Sequence, residues 1–295
     1  MKLALKFSVL FFLFSCQNQN TDNQQIAKQN LNPVIYGEDN RFDFSEITDL
    51  SVRELARSTV ALISNEHLVY DNVFDSFHLE KADLGLTMCS QEKYLRQPLY
   101  AHCSGSLIAS DVILTAGHCI RDQRLCKDTK FAFDYTLFDS NVALNSLPAK
   151  NVFACAEIIY LSEIKTAADF ALVRLDRVVT DRKPLKLSET GLSYQDQLMM
   201  IGHPAGLPTK FTVNGKVRSL MNAAYIVASI DSYSGNSGSS VFNQKTHEII
   251  GVLVRGENDY ERQNGCYVSK KCTEDGCRGE EITRVSEIKK YLPKN

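Results

Sequence analysis

Short apolar runs recur along most of the 295-residue chain, and each is followed within two residues by a serine, glycine, asparagine or aspartate. The clearest are residues 59–63, 106–109, 112–115, 170–175, 198–201 and 249–254. Runs of this length match buried strands better than helices, and the residues between them favour turns. The pattern predicts an all-β chain, folded as a barrel or a sandwich, that is long enough to bury a large core.

Two helices are expected besides the strands, one at residues 45–56 and an amphipathic, lysine-rich one at 285–292. The formal net charge is only -2. A charge so close to zero gives no reason to expect a nucleic-acid partner.

The first 15 residues have the form of a secretory signal peptide. Lys2 and Lys6 precede the apolar run 7–14, which is too short to span a bilayer in the mature protein. The run ends in Leu-Phe-Ser-Cys, which resembles a bacterial lipobox and makes Cys16 the candidate lipidation site. Ordinary secretory cleavage that discards Cys16 is the alternative. The Asn- and Gln-rich residues 16–33 are expected to be a disordered tether or a propeptide.

Eight cysteines follow Cys16, and an even number in an exported protein predicts disulfide bonds. Zinc is the competing interpretation. The last three cysteines, Cys266, Cys272 and Cys277, lack the paired Cys-x2-Cys spacing of structural zinc sites. Disulfides are therefore favoured, and no metal or other cofactor is expected.

Four separated regions contain the residue types that nucleophilic catalysis needs. They are Cys-Ser-Gly-Ser-Leu-Ile at 103–108 with Leu-Thr-Ala-Gly-His-Cys at 114–119, Asp-Phe-Ala-Leu-Val-Arg-Leu at 169–175, Ser-Gly-Asn-Ser-Gly-Ser-Ser at 234–240, and Gly-Val-Leu-Val-Arg-Gly at 251–256. Each alone is more often structural. Together, in the order His, Asp, Ser, they resemble trypsin-like (chymotrypsin-fold) serine proteases. The Gly-Asn-Ser-Gly motif is most similar to that of the bacterial V8-like endopeptidases.

The resemblance covers residues 34–293 and implies two six-stranded antiparallel β-barrels with a C-terminal helix. The first barrel would span about residues 50–175, the second about 190–285, and the helix 285–292. Such a protein acts on protein or peptide substrates and needs no cofactor.

The resemblance also implies the residues of a catalytic triad. His118 would be the general base, Asp169 would orient it, and Ser237 would be the nucleophile. The N–H groups of Gly235 and Ser237 would form the oxyanion hole. Cys103 and Cys119 match the family disulfide that braces the catalytic histidine.

One position departs from the trypsin pattern. Asn236 stands where trypsin-type enzymes have an aspartate that pairs with a newly freed amino terminus, so the oxyanion hole must be organised in another way. Val34 still resembles the first residue of mature V8-like enzymes and marks a candidate processing site.

The substrate pocket is more ambiguous. Asp231 precedes the nucleophile by six residues, the spacing at which trypsin-like enzymes place the aspartate that binds Arg or Lys; a solvated loop aspartate is the alternative. Val254, Arg255 and Gly256 would line the path of an extended substrate. Arg255 would favour acidic side chains nearby or partly neutralise Asp231. Leu253 stands where V8-like enzymes have their glutamate-selecting histidine.

Two further expectations concern the loops of this family. At least one disulfide is expected within residues 266–277. His203, in a Gly-His-Pro-Ala-Gly loop, is expected to be structural, with substrate contact as the alternative.

The sequence therefore predicts a serine endopeptidase, monomeric, with a preference for basic residues at P1. It would lie in the bacterial cell envelope, lipid-anchored or secreted, and have no nucleic-acid partner. The alternatives are a catalytically silent envelope binding module with this fold, a V8-like protease of other P1 specificity, and an esterase.

Overall fold

The chain is built mainly from antiparallel strands joined by turns and loops. The computed structural model describes residues 34–80, 85–139, 142–164 and 167–292. Its strands within these ranges are β1 (Ile35–Tyr36), β2 (Arg41–Asp43), β3 (Thr59–Ser64), β4 (Leu68–Asp71), β5 (Ser76–Leu79), β6 (Ala101–Ala109), β7 (Val112–Thr115), β8 (Thr129–Phe133), β9 (Ser146–Pro148), β10 (Val152–Glu163), β11 (Asp169–Leu175), β12 (Gln197–Gly202), β13 (Lys210–Ser219), β14 (Tyr225–Ser229), β15 (Ser240–Asn243), β16 (Ile249–Arg255), β17 (Tyr260–Gln263), β18 (Cys266–Ser269), β19 (Lys271–Cys272) and β20 (Glu280–Arg284).

The first barrel closes in the order β10-β11-β7-β6-β3-β8. Its interior is filled by large apolar side chains that alternate along the strands, such as Leu62, Leu107, Phe131 and Leu172. These belong to the apolar runs that predicted strands, because side chains on alternate residues of a strand point to one face of the sheet.

The second barrel runs in the order β12-β15-β16-β20-β14-β13 and closes through the pairing of β12 with β13. Its core includes Leu198, Met200, Val241, Leu253 and Ile282. Strand β2 adds to the outside of β13. The prediction of two six-stranded antiparallel barrels is confirmed.

Three short α-helices accompany the barrels in the described ranges: α1 (Leu50–Arg57), α2 (Gln123–Asp128) and α3 (Val285–Ile288). The first begins later than predicted because Asp49 caps it, accepting the Ser51 N–H at 2.8 Å. Helix α3 is the expected C-terminal helix and continues as a 3-10 turn, Lys289–Tyr291. Among the described residues, the helices are all too short or too polar to span a membrane.

All eight cysteines after Cys16 form disulfides: Cys89–Cys266, Cys103–Cys119, Cys126–Cys155 and Cys272–Cys277. The expected pairs at the histidine and within the 266–277 loop are both present. Four disulfides are typical of an extracytoplasmic protein. Cys16 and the tether lie outside the described residues, so lipidation stays a prediction.

The first described residues form an N-terminal segment, residues 34–43, that lies on the second barrel. Strand β1 pairs in parallel with β19, and β2 pairs with β13. A buried ion pair fastens this segment, since Lys210 Nζ lies 2.7 Å from Asp43 Oδ1 and also donates to Gln97 and Pro208. The Lys210 side chain is 1% exposed.

Removing the lysine alone should destabilise the protein, because it leaves a buried carboxylate uncompensated. We expect Lys210→Met to lower the free energy of unfolding by about 3–5 kcal/mol. The double variant Lys210→Met/Asp43→Leu, which removes both charges, should recover most of that loss. Urea denaturation of the single and double variants measures the difference. A double variant no more stable than Lys210→Met would contradict this account of the ion pair.

Candidate active site

His118 and Asp169 are brought together by neighbouring strands of the first barrel. Strand β7 ends at Thr115, and the 3-10 turn that follows carries His118; Asp169 opens β11, which pairs with β7. His118 Nδ1 lies 2.9 Å from Asp169 Oδ2. Asp169 Oδ1 accepts the N–H groups of Gly117 at 2.7 Å and His118 at 3.2 Å. With both oxygens occupied, the carboxylate fixes the orientation of the imidazole.

The second barrel supports Asp169 from behind. The Thr283 hydroxyl donates to the Asp169 carbonyl at 3.0 Å and accepts the Asp169 N–H at 3.2 Å. Arg255 Nη1 lies 3.6 Å from Asp169 Oδ2, while its Nε donates to Glu281 at 2.6 Å. Arg255 therefore pairs with Glu281 and approaches Asp169, and Asp231, which it was expected to neutralise, is not among its partners.

Ser237 lies on a tight turn between Gly235 and Gly238, whose φ angles are +93° and +87°. A Cβ at Gly235 would lie 2.5 Å from the His203 carbonyl oxygen, and one at Gly238 would lie 2.0 Å from the Ser104 carbonyl oxygen. Both positions therefore need glycine, for conformation and for space. The side of the turn that carries Ser237 remains partly exposed.

Hydrogen bonds hold this turn without an ion pair at Asn236. Ser104 Oγ donates to the Gly235 carbonyl at 2.8 Å, and the Ser104 N–H donates to the Ser237 carbonyl at 2.8 Å. The Asn236 side chain instead accepts from Ser239 Oγ at 3.3 Å. Across the described residues, the N–H groups of Gly235 and Ser237 donate to no protein acceptor. These N–H groups are thus available to an incoming oxygen.

The disulfide Cys103–Cys119 lies between the two halves of the site. Cys119 follows His118 directly, and its Sγ lies 3.7 Å from the Ser237 carbonyl oxygen. The same three residues, Cys103, His118 and Cys119, form a cluster of potential metal ligands within the described part of the chain. Because both sulfurs are in the disulfide, the cluster is a brace for the turn and not a metal centre.

Asp231 has a different position from the one that its spacing predicted. The residue is 2% exposed, and its two oxygens accept the N–H groups of Tyr36 and Asn40, each at 2.7 Å. Burial raises the pKa of its carboxyl to about 6. The carboxylate holds the N-terminal segment, so it is not free at the base of a pocket. The spacing to the nucleophile alone could not reveal which way the side chain turns.

Two other buried carboxylates near the nucleophile turn were missed by the sequence analysis. Asp259 accepts the N–H of Ser234 at 3.2 Å, and burial raises its pKa well above the usual range. Glu280 is completely buried beside Gly256, where a Cβ would lie 1.9 Å from Glu280 Oε2. Both residues lie among other charged residues, a pattern typical of solvent-exposed segments. Only the pairing of β16 with β20 places Glu280 next to the predicted substrate strand.

Two other predicted site residues, Val254 and His203, are buried. Val254 is buried and packs into the hydrophobic core of the first barrel. His203 is buried, its Nδ1 lies 3.1 Å from the Leu207 carbonyl, and its N–H donates to Ser104 Oγ at 2.9 Å. Burial lowers the His203 pKa to about 3. These contacts fit the structural role expected for His203.

Comparison with known proteins agrees with this geometry. A family model described as the trypsin-like peptidase domain matches residues 103–252. No curated protein matches the sequence.

The solved structures that resemble this chain have low sequence identity to it. A Glu endopeptidase in complex with MPD has 17% identity and a TM-score of 0.50, and the match covers 88% of this chain and 98% of that one. A serine endoprotease from Yersinia pestis has 15% identity and a TM-score of 0.48; the match covers 81% of this chain but only 63% of that protein. A protease of Mycobacterium tuberculosis H37Rv in an inactive form has 10% identity and a TM-score of 0.48, covering 88% and 94%.

The family match spans 150 of the 295 residues, which is just over half of the chain, and it includes the His118, Asp169 and Ser237 segments. The chain therefore belongs to the trypsin-like peptidase family.

Proposed function

We propose that the protein is a serine endopeptidase that cleaves peptide bonds through an acyl-enzyme on Ser237. The observation that carries the proposal is the hydrogen bond of 2.9 Å between His118 and a buried Asp169, beside a glycine-flanked turn that carries the partly exposed Ser237. These are the parts that activate a serine hydroxyl, which is a weak nucleophile by itself.

Each residue of the proposed site has its own role in the reaction. Ser237 Oγ attacks the scissile carbonyl while His118 Nε2 takes its proton, and Asp169 stabilises the imidazolium that forms. The developing oxyanion accepts from the N–H groups of Gly235 and Ser237. His118 then gives the proton to the leaving amine. Water, deprotonated by the same histidine, releases the acyl group.

Strand β16 offers a place for the substrate backbone. Its ladder with β15 ends at Val252, and the main chain of Leu253 bonds to Gly238 and Ser239. Beyond that point, Val254 and Arg255 have no strand partner on this side among the described strands. An extended peptide can add there as a further strand, which places its scissile bond beside Ser237.

The proposed cellular location and oligomeric state are those predicted from the sequence. The predicted signal peptide and the four disulfides support an envelope protein, lipid-anchored through Cys16 or secreted, and the protein is proposed to act as a monomer on protein or peptide substrates. A silent binding module is not favoured, because the sequence keeps all three residues of the proposed triad, His118, Asp169 and Ser237. A place in the V8-like branch is supported by the Gly-Asn-Ser-Gly motif.

The nucleophile can be tested directly. Wild-type protein should cleave members of a peptide library and react with a fluorophosphonate probe, while Ser237→Ala should lose the probe label and on the order of 10⁴–10⁶ in kcat. The matched control is Ser234→Ala, which removes another hydroxyl of the same turn and should keep the label. Equal labelling of wild type and Ser237→Ala would refute the assignment.

The support of Asp169 by Thr283 gives a second test. Thr283→Val leaves the buried N–H of Asp169 without its hydroxyl partner, which costs about 1–3 kcal/mol. We expect kcat/KM to fall about tenfold or more, since each 1.36 kcal/mol of barrier is a factor of ten. Thr283→Ser keeps the hydroxyl and should keep most of the activity. If the two variants lost activity equally, the hydroxyl would not be the positioning group.

A further inference from the structure

Three carboxylates in the second half of the chain are buried near residues of the nucleophile turn or of β16, those of Asp231, Asp259 and Glu280. Asp231 and Asp259 are occupied by backbone N–H groups, as described above. Glu280 differs from them. Its Oε1 accepts from the Tyr36 hydroxyl and the Glu257 N–H, each at 3.2 Å, but within the described structure its Oε2 has no hydrogen-bond partner. A buried carboxylate oxygen without a partner is costly, and natural proteins rarely keep one without a use.

The strand register places Glu280 next to the strand that holds the nucleophile turn. Side chains two residues apart on a strand share a face, so Glu280 lies on the same face of β20 as Ile282. Ile282 is in register with Leu253 on β16, and both belong to the core of the second barrel. The Leu253 carbonyl accepts the Gly238 N–H at 2.8 Å. Glu280 therefore lies just beyond the end of the β16–β20 ladder, beside the part of β16 that follows Leu253.

Gly256 fixes where the free oxygen lies. It follows directly on Val254 and Arg255, the residues at which the substrate backbone is proposed to pair. The Glu280 carboxylate packs against the Gly256 Cα, and no side chain at position 256 separates it from the substrate strand. Glu280 therefore lies beside the residues of β16 at which the substrate backbone is proposed to pair.

We propose that Glu280, and not Asp231, is the residue that selects the P1 side chain, and that it selects lysine or arginine through its unpaired Oε2. This inference rests on the proposed function. An ammonium or guanidinium group supplies the hydrogen-bond donor that Oε2 lacks and a positive charge that pairs with the ionised Glu280 carboxylate.

The charged groups around Glu280 determine how binding responds to pH. Burial, helped by the nearby carboxylate of Glu257, raises the pKa of Glu280 to about 8, while the hydrogen bonds from the Glu257 N–H and the Tyr36 hydroxyl and the charge of Arg278 act in the opposite direction. The Tyr36 hydroxyl donates to it from β1. Below pH 8 the free protein therefore holds Glu280 protonated, and a cationic P1 side chain must displace that proton to form the pair.

The first test compares two P1 residues of similar length, lysine and uncharged norleucine, in otherwise identical peptides. The ratio of their kcat/KM values cancels the titration of the shared catalytic groups. For the wild-type full chain we expect this ratio to favour lysine and to rise about tenfold per pH unit below pH 8, then to level off. A ratio independent of pH, or one that favours norleucine throughout, would overturn the proposal.

The second test uses Glu280→Gln, with Asp231→Asn as the matched amide substitution at the rival carboxylate. Glu280→Gln should lower the lysine-to-norleucine ratio on the order of a hundredfold and abolish its pH dependence, whereas Asp231→Asn should leave the ratio within a few-fold of wild type. The reverse pattern would assign selection to Asp231. A gain of activity on glutamate or glutamine P1 peptides without any lysine preference in wild type would also refute it.

Labelling by the fluorophosphonate probe distinguishes a failure of the P1 inference from a failure of the proposed function. If wild-type protein is labelled at Ser237 and cleaves norleucine peptides without preferring lysine, the P1 inference fails and the peptidase stands. If wild-type protein is neither labelled nor active, the proposed function itself fails. Should Glu280→Gln not fold, Asp231→Asn still decides between the two carboxylates: a pH-dependent lysine preference that survives in this variant supports the proposal, and its loss overturns it.

Discussion

The site depends on one contact between the barrels, made by Ser104 on β6. Its N–H donates to the Ser237 carbonyl, its hydroxyl donates to the Gly235 carbonyl, and its own carbonyl oxygen packs against Gly238. Three backbone positions of the nucleophile turn, which belongs to the second barrel, are thereby fixed on a strand of the first. Because Ser104 is completely buried, water does not compete for these bonds.

That contact explains how the site holds its shape without an ion pair at position 236. The turn is restrained by Ser104 on β6 and by the loop after β12, where the Ala205 N–H donates to the Ser234 carbonyl at 2.5 Å. Within the described residues, the N–H groups of Gly235 and Ser237 donate to no protein acceptor. A preorganised pair of donors stabilises a developing oxyanion because no reorganisation is needed when charge appears.

Much of this arrangement could be predicted from the sequence, and the remainder could not for a physical reason. Apolar runs of strand length predicted the barrels, and the order of the His118, Asp169 and Ser237 motifs predicted which segments converge. A sequence motif identifies a backbone turn or a reactive group, and both depend mainly on residues close together in the chain. The direction of a side chain such as Asp231 depends on what packs against it, here the N–H groups of Tyr36 and Asn40, which are 195 and 191 residues away.

Glu280 is a second residue whose position could not be predicted from the sequence. Adjacent glutamates in a charge-rich stretch are usually solvated, and only the register of β20 separates the buried Glu280 from its neighbour Glu281, which pairs with Arg255. The one-residue alternation of a strand therefore decides which acid is buried beside Gly256 and which pairs with the arginine that approaches Asp169.

The measurement that tests the central claim most directly is a rapid-quench reaction with an activated ester, followed by peptide mapping of the trapped protein. The account predicts a burst of product equal to the concentration of active protein and an acyl group on Ser237. Turnover without a burst and without an adduct, or an acyl group on another residue such as Ser239, would contradict it.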